Sequence, residues 1–208
     1  MTLFITFEGP EGSGKTTMIQ MIAEALKDTH EVVVTREPGG IPISEKIRDI
    51  LLANDNEMDA RTEALLFAAA RRQHLVEKVV PALKEGKVVL CDRFIDSSLA
   101  YQGYARGLGV ESIMQINQFA IGDWMPDLTI YLKLAPEAGL KRIQDNDRTS
   151  NRLDKETLAF HKDVVSGYNE LSENYPERIK LVDADREIED VFKDTYHIVE
   201  KYLNHRGD

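Results

Sequence analysis

Short apolar runs alternate along the chain with longer segments in which apolar residues recur every three or four positions. Five strands are predicted from the apolar runs at residues 2–8, 31–35, 87–91, 128–134 and 179–182. Strands that alternate with helices in this way are typical of a mostly parallel sheet. The pattern therefore predicts an α/β fold.

Three segments have helical spacing, at about residues 15–28, 60–84 and 187–203. The second contains Pro81, which lacks a backbone N–H and is expected to bend the helix or end its regular part near residue 80. No internal repeat and no linker rich in Gly, Pro or Ser divides the 208 residues. We therefore expect a single domain over residues 1–208.

The strongest motif lies where the first predicted strand meets the first predicted helix. The pattern G-x-x-x-x-G-K-[ST] is matched at every fixed position by Gly9, Pro10, Glu11, Gly12, Ser13, Gly14, Lys15 and Thr16. In such a loop backbone N–H groups surround phosphates, the lysine neutralises β- and γ-phosphate oxygens, and the hydroxyl ligates Mg²⁺. We expect this loop, together with Thr17, to bind a nucleoside triphosphate. A turn that is Gly-rich by chance would not also supply the strand, the lysine, the threonine and the helix.

An acidic residue and an arginine follow the third predicted strand. Asp92 and Arg93 come directly after Val88-Val89-Leu90-Cys91, and ligands collect at the carboxyl ends of parallel strands. Asp92 is expected to hold Mg²⁺ directly or through a water, and Arg93 to contact phosphate. Two structural alternatives remain, in which Asp92 caps a helix that begins near Asp96 and Arg93 forms a surface ion pair.

Composition excludes several classes of partner. The formal net charge is −10, which disfavours a broad surface for nucleic acid or anionic membrane. Cys91 is the only cysteine, and the chain has no signal-like start and no apolar run that could span a bilayer. We expect a cytosolic protein in which Cys91 is buried and inert. A regulatory GTPase would need N-K-x-D and D-x-x-G, and an ATP-driven transport module a sequence such as L-S-G-G-Q; the chain contains none of these.

Two further motifs connect the chain to a known family. Thr35-Arg36-Glu37-Pro38-Gly39-Gly40 follows the second predicted strand, and D-R-F-I-D-S-S-L-A-Y-Q-G covers residues 92–103. Together with the phosphate loop, these motifs resemble bacterial thymidylate kinase, a P-loop nucleoside monophosphate kinase, over practically the whole chain. The resemblance implies a three-layer P-loop NTPase fold with a central five-stranded parallel sheet, flanking helices and a short mobile lid at about residues 142–153. It implies transfer of the γ-phosphoryl group of ATP to dTMP with Mg²⁺, by a homodimer. Another pyrimidine deoxynucleotide, chiefly dUMP, is the alternative acceptor.

The resemblance also implies an acceptor site. Phe67 would stack on thymine, and Arg71, four residues further along the same helix, would hydrogen-bond its O4 atom. Gln102 would face the N3 side of the base, where an amide can both donate and accept. The full set implied for dTMP is Glu37, Pro38, Arg48, Phe67, Arg71, Arg93, Ser97, Ser98, Tyr101 and Gln102. From the residues alone, Phe67 also fits a core position, Arg71 a solvated helix face and Tyr101 a half-buried aromatic.

The lid would supply further positive charge. Phosphoryl transfer spreads negative charge over equatorial oxygens, so arginines that close over the phosphates stabilise it and exclude water. Arg142, Arg148 and Arg152 are the candidates, although a solvated loop remains possible for at least one of them. Glu11 is expected to orient a lid arginine or the acceptor's sugar. The loop at residues 182–185 is where the family places adenine. No general base is required, because a phosphate oxygen of dTMP is already an anion.

Overall fold

Five parallel strands form one central sheet. The computed structural model describes residues 2–145 and 151–205. The sheet order is β2-β3-β1-β4-β5, and every neighbouring pair of strands is parallel. The strands are β1 (Leu3–Glu8), β2 (Val32–Arg36), β3 (Val88–Asp92), β4 (Leu128–Lys133) and β5 (Ile179–Asp183). The predicted α/β fold with a five-stranded parallel sheet is therefore confirmed.

Helices cover both faces of this sheet. They are α1 (Lys15–Leu26), α2 (Pro42–Leu52), α3 (Ala60–His74), α4 (Val80–Lys84), α5 (Ile95–Ser98), α6 (Val110–Ile121), α7 (Pro136–Asp145), α8 (Leu158–Asn174) and α9 (Ile188–His205). Within the described ranges, none of these helices is both long enough and apolar enough to cross a membrane.

Alternate side chains of the strands enter two separate apolar cores. Ile5 and Leu90 pack with Met18 of α1 on one face of the sheet. Phe4 and Val89 belong to the core on the other face, with residues of α3 and α8. Because successive strand residues point to opposite faces, a central strand buried on both sides reads as a continuous apolar run. This explains why the strand runs were legible in the sequence.

The long helical segment with Pro81 is divided in a way that periodicity did not predict. Regular α3 ends at His74, and Leu75–Val79 forms a π-helical turn before α4 begins. The N–H of Val80 donates to the carbonyl of Leu75, five residues back, instead of the usual four. The wider turn accommodates a proline, which cannot donate and crowds the preceding turn. The irregularity therefore precedes the proline by several residues.

A second π-helical turn shapes the end of the Asp-Arg motif. α5 continues as a π-helix over Leu99–Ala105, where the N–H of Arg106 donates to the carbonyl of Tyr101 at 2.9 Å. A Cβ atom on Gly103 would lie 3.1 Å from the Cα of Val110, so glycine allows this segment to approach α6 closely. Such π-turns are frequent at functional sites. This one carries Tyr101 and Gln102 on the wall of a large cleft.

Candidate active site

One cleft of about 540 Å³ brings most of the predicted site residues together. It opens where β1, β2 and β3 end, as expected for a parallel sheet. The predicted residues that line it are Glu11, Gly12, Ser13, Gly14, Lys15, Thr16, Thr17, Glu37, Pro38, Arg48, Phe67, Asp92, Arg93, Ser97, Ser98, Tyr101, Gln102 and Arg142. Gly9, Pro10, Arg71 and Arg152 are not part of the lining, and Arg148 lies outside the described residues.

The phosphate loop is held in shape by its glycines and by Lys15. Gly12 has a φ of 72°, and a Cβ atom there would lie 2.2 Å from the carbonyl oxygen of Gly139. The Nζ of Lys15 donates to the carbonyl oxygens of Gly9 at 3.2 Å and Pro10 at 2.9 Å. Burial, with a smaller contribution from the positive charge of Arg93, lowers the pKa of Lys15 to about 8. The lysine also donates to Ser13 Oγ at 3.3 Å, so it is a buried cation whose hydrogen bonds go to neutral oxygens of the loop.

A hydroxyl and a carboxylate meet at the start of α1. Thr16 Oγ1 donates to Asp92 Oδ2 at 2.8 Å. Oxygen ligands of this kind suit Mg²⁺, which takes few protein ligands and completes its shell with phosphate and water. No cluster of three or more His, Cys, Asp or Glu side chains suited to a metal occurs within the described ranges. The helix-cap alternative for Asp92 is wrong, because α5 is preceded by Phe94 and has no side-chain cap.

Arg93 lies in the cleft between the phosphate loop and the wall that carries Tyr101, and it hydrogen-bonds to both. Its backbone is left-handed, with a φ of 69°, which is costly for a residue with a side chain. Nη2 donates to Glu11 Oε1 at 2.7 Å and to Tyr101 Oη at 3.1 Å, and Nη1 donates to the carbonyl oxygen of Gly9 at 3.1 Å. The ion pair of Arg93 is therefore in the cleft and not on the surface. Glu11 also accepts from Tyr101 Oη at 3.3 Å, and its contacts with Arg93 and Tyr101 were not indicated by the sequence.

Phe67 and Arg71, which were both predicted to contact the acceptor base, lie in different surroundings. Phe67 lines the cleft, whereas the side chain of Arg71 is only 1% exposed. Its Nε donates to Glu37 Oε2 at 2.8 Å and its Nη1 to Ser98 Oγ at 3.0 Å. It also donates to the backbone oxygen of Phe94 at 2.8 Å. The buried carboxylate of Glu37 draws the guanidinium beneath the pocket, so the contact of Arg71 with thymine O4 stays a prediction.

Two arginines lie together beside the end of β2. Arg48 donates to the carbonyl oxygen of Pro38 at 2.9 Å, and Arg36 binds both oxygens of Glu45 at 2.9 Å. Burial and the neighbouring charge of Arg36 lower the pKa of Arg48. An anion between these guanidinium groups would relieve their repulsion. Arg36 lines the cleft and was not among the predicted site residues, although its place at the end of a strand was a usable signal.

Two of the three arginines that were predicted for a lid, Arg142 and Arg152, lie within the described residues, and their side chains point to different places. Arg142 lines the cleft, and its guanidinium lies 3.3 Å from the carbonyl oxygen of Ala184, in the loop expected near adenine. Arg152 instead donates to Glu63 Oε2 at 2.6 Å and to the carbonyl oxygen of Leu51 at 3.0 Å. The buried carboxylate of Glu63 thus holds Arg152 outside the cleft lining. In this conformation Arg152 does not reach the phosphate loop.

The likeness to known proteins extends over nearly the whole chain. The family model described as thymidylate kinase matches residues 7–195. This chain belongs to the thymidylate kinase family. It is 57% identical to thymidylate kinase of Staphylococcus haemolyticus (strain JCSC1435), over 98% of this chain and 100% of the relative. It is 62% identical to thymidylate kinase of Clostridium novyi (strain NT), over 92% and 95%.

A solved member of the thymidylate kinase family also has the same fold. The crystal structure of thymidylate kinase from Ehrlichia chaffeensis superposes with a TM-score of 0.79 at 33% sequence identity. The match covers 96% of this chain and 98% of the other. The three-layer P-loop fold and the family expected from the motifs are therefore both confirmed.

One buried acid of this thymidylate kinase family member was missed by the sequence analysis. Glu8, at the end of β1, accepts hydrogen bonds from the N–H of Phe94 at 2.7 Å and from the hydroxyls of Ser97 at 2.5 Å and Tyr168 at 2.9 Å. Burial and, to a lesser extent, the charge of Asp96 raise the pKa of Glu8 to about 7. Ser97 and Tyr168 also accept from Arg93. Glu8 therefore helps to orient Arg93, although in the sequence it reads only as the last residue of a strand.

Proposed function

We propose that the protein transfers the γ-phosphoryl group of ATP to dTMP and releases dTDP and ADP. The observation that carries this proposal is the continuity of the cleft, which joins the phosphate loop to a pocket with Phe67 and Gln102 in its wall. An aromatic ring and an amide suit the face and edge of a pyrimidine. Arg93 lies between the two halves and contacts the loop at Gly9. Family membership supports the same reaction.

The donor phosphates are proposed to bind at the phosphate loop. Lys15 would exchange its contacts with Gly9 and Pro10 for β- and γ-phosphate oxygens, which gives a buried cation an anionic partner. Thr16 and Asp92 would hold Mg²⁺, which when bound neutralises charge on the phosphate oxygens. The loop N–H groups and the start of α1 add further positive potential.

The acceptor phosphate is proposed to bind among Arg36, Arg48 and Arg93. A phosphate monoester oxygen of dTMP is already ionised near neutral pH, so the reaction needs alignment and charge neutralisation rather than a general base. Glu37 and Pro38 would bound this site, and Ser97, Ser98 and Tyr101 the sugar and base. Residues 142–153 are proposed to act as a lid, with Arg142 toward the donor.

A panel of nucleoside monophosphates tests the assignment. Purified protein is assayed with Mg²⁺ and ATP against dTMP, dUMP, dCMP and UMP, and kcat/KM is measured for each. We expect dTMP to be the best acceptor. A higher value for dUMP would favour the alternative pyrimidine kinase, and higher values for dCMP or UMP would reject the proposed acceptor.

Replacing Asp92 by asparagine is expected to raise the Mg²⁺ concentration needed for half-maximal activity by about tenfold or more. An amide oxygen is a weaker ligand than a carboxylate, but it can still accept from Thr16, so the loop keeps its shape. The measurement is a Mg²⁺ titration of the initial rate at saturating ATP and dTMP. Asp190→Asn changes an exposed side chain in the first turn of α9, so it is the matched control and should titrate as the wild type does. An unchanged titration of the Asp92 variant would contradict the metal role.

A homodimer is proposed from two exposed apolar side chains on adjacent helices. Phe119 on α6 is 93% exposed and Leu65 on α3 is 57% exposed. Arg72 joins these helices by donating to the carbonyl oxygen of Ala120. Apolar side chains that are exposed together on neighbouring helices are typical of an interaction surface. We also place the protein in the cytosol, where ATP and dTMP are available and Cys91 stays reduced.

Replacing Phe119 by glutamate is expected to convert the proposed dimer into monomers. A charge at an apolar interface loses burial and must be desolvated, so the dissociation constant should rise by at least about a hundredfold. Sedimentation velocity at micromolar concentration measures this change. The matched control Gln118→Glu adds the same charge one position away. A wild-type protein that sediments only as a monomer would remove the proposal.

A further inference from the structure

A buried carboxylate lies directly behind the acceptor pocket. Glu63, in the first turn of α3, is 0% exposed and is not part of the cleft lining. Its Oε1 accepts from the Nε2 atom of Gln102 at 2.8 Å and from the Nε atom of Arg106 at 3.3 Å. Its Oε2 accepts from Arg106 at 3.1 Å and from Arg152 at 2.6 Å. Glu63 therefore touches the side chain that is proposed to face the base, but it is placed one layer behind it.

The charge state of Glu63 is set by these neighbours. Burial on its own would raise the pKa of this carboxyl group, but hydrogen bonds from Arg106, Gln102 and Arg152 outweigh burial and lower the pKa. The group is therefore an anion throughout the neutral range. An ionised carboxylate has no hydrogen to donate and can only accept.

This restricts the amide of Gln102 to one orientation. Only the NH₂ end can satisfy an anionic acceptor, because the amide oxygen would repel it. The amide is planar, so with Nε2 directed at Glu63 the oxygen Oε1 is turned to the other side. Gln102 is only 1% exposed but lines the cleft, and within residues 2–145 and 151–205 no side chain or backbone group donates to that oxygen. The oxygen Oε1 of Gln102 is therefore a hydrogen-bond acceptor that a ligand in the pocket can reach.

An acceptor at this place distinguishes pyrimidines by their N3 atom. Thymine and uracil carry an N3–H group, which donates, whereas N3 of cytosine is a lone-pair acceptor. We propose that Glu63 is a positioning residue for base selection, which keeps the amide of Gln102 turned so that its oxygen faces N3 of the acceptor base. This inference rests on the proposed function. It adds that Glu63 determines whether the oxygen or the NH₂ group of Gln102 contacts the base.

The variant Glu63→Gln tests this inference, because it keeps the shape of the side chain and removes the charge. A glutamine at 63 can donate as well as accept, so the amide of Gln102 becomes free to rotate. We expect the ratio of kcat/KM for dTMP to that for dCMP to fall by at least about tenfold. The ratio for dTMP to dUMP should stay within about twofold, since both bases carry N3–H. An unchanged ratio of dTMP to dCMP in the folded variant would overturn the proposal.

Glu63 also neutralises two arginines, so general damage to this network needs a control. Arg106→Lys weakens the contacts of this residue with both oxygens of Glu63, but it keeps the carboxylate and its own hydrogen bond with Gln102. This variant is expected to lower the melting temperature without changing the ratio of kcat/KM for dTMP to kcat/KM for dCMP. A loss of selectivity equal to that of Glu63→Gln would assign the effect to the network and not to the amide.

Gln102→Leu keeps the inference testable even if Glu63→Gln does not fold. Without the amide, no oxygen faces N3 of cytosine and repels it. The ratio of kcat/KM for dTMP to kcat/KM for dCMP should therefore also fall by at least about tenfold. Adding Glu63→Gln to Gln102→Leu should then change the ratio no further, because Glu63 is proposed to act through Gln102. Full selectivity in Gln102→Leu, or additive losses in the double variant, would overturn the inference.

The wild-type rates separate this inference from the proposed function. A wild type that does not phosphorylate dTMP, or that prefers dCMP, rejects the function itself. A wild type that prefers dTMP, with variants whose selectivity is unmoved, keeps the function and rejects only the role of Glu63.

Discussion

Lys15→Met is expected to lower kcat/KM for MgATP by about a thousandfold, which corresponds to about 4 kcal/mol of transition-state stabilisation. In the structure Lys15 is a cation that donates to two loop carbonyls and to the hydroxyl of Ser13, and no carboxylate of the described residues is hydrogen-bonded to it. Charge that develops on the transferred phosphoryl group would meet this buried cation, since Lys15 is only 7% exposed. Replacing Lys15 by methionine removes the positive charge that stabilises the transferred phosphoryl group, and no other cation takes the position of Nζ. Initial rates over a range of ATP concentrations at saturating dTMP measure the loss.

The same variant is expected to fold at least as well as the wild type when no ligand is bound. The pKa of Lys15 is lowered to about 8 from its ordinary value of 10.5. The unfolded chain therefore binds more protons than the folded protein between these values, and stability rises with pH across that window. Below pH 8 the buried charge opposes folding in full, so methionine relieves that cost. Thermal unfolding at pH 7 should show an undiminished melting temperature, with the stabilisation by ATP lost.

Lys27→Met controls for the loss of a positive charge near α1. Lys27 follows the helix, is largely exposed and pairs with Glu24. It should keep the wild-type rate and the stabilisation by ATP. Full activity in Lys15→Met would contradict the proposed role of the loop lysine, and a large loss of stability would contradict the physical account of its pKa.

Most of the fold could be predicted because strands and the phosphate loop are each determined by residues that are neighbours in the sequence. Five apolar runs marked the strands, and each observed bound differs from the predicted one by no more than one residue. The phosphate loop was readable for the same reason, since its glycines and Lys15 act within eight consecutive residues. The π-helical turn at Leu75–Val79 was not readable. Its hydrogen bonds shift by one residue, and the apolar spacing of the helix barely changes.

The acceptor side was only partly predictable because its hydrogen bonds join distant parts of the chain. Helical spacing placed Phe67 and Arg71 on one side of α3, but it could not show that Glu37, 34 residues away, binds the guanidinium. Glu63 looked like any charged residue in the first turn of a helix. Its contact with Arg152 spans 89 residues and exists only in the folded protein. Partners of this kind decide whether a charged side chain faces substrate or supports a residue that does.

The residues that the sequence missed share one property. Glu8 and Glu63 are buried carboxylates that do not line the cleft, and each holds a residue that does. Glu8 binds Ser97, and Glu63 binds Gln102. Burying an ionisable group costs free energy unless hydrogen bonds compensate, so such groups persist where the orientation of a neighbour matters. Burial with several donors is therefore the signal that reveals them, and only a structure supplies it.

Arg93→Lys is expected to lower kcat by about a hundredfold, which is about 3 kcal/mol, although the positive charge is retained. The guanidinium divides its N–H groups between Gly9, Glu11 and Tyr101, together with Ser97 and Tyr168. An ammonium group has three donors at one point and cannot span these partners. The proposed path of the phosphoryl group passes this residue, so its position matters as much as its charge. Because the contact is proposed to strengthen in the transition state, kcat and kcat/KM should fall together.

Arg178→Lys provides the matched control for replacing a partly buried arginine. Arg178 pairs with both carboxylate oxygens of Asp96 at 2.6 and 2.8 Å, has an equal side-chain exposure of 15%, and does not line the cleft. Its replacement should lower the melting temperature but keep kcat within about threefold. The left-handed backbone of Arg93 costs the same with lysine as with arginine, so strain does not separate the two variants. Equal losses of kcat in both variants would show that Arg93 acts on folding alone, whereas a loss confined to Arg93→Lys requires a guanidinium at the junction of the donor and acceptor sites.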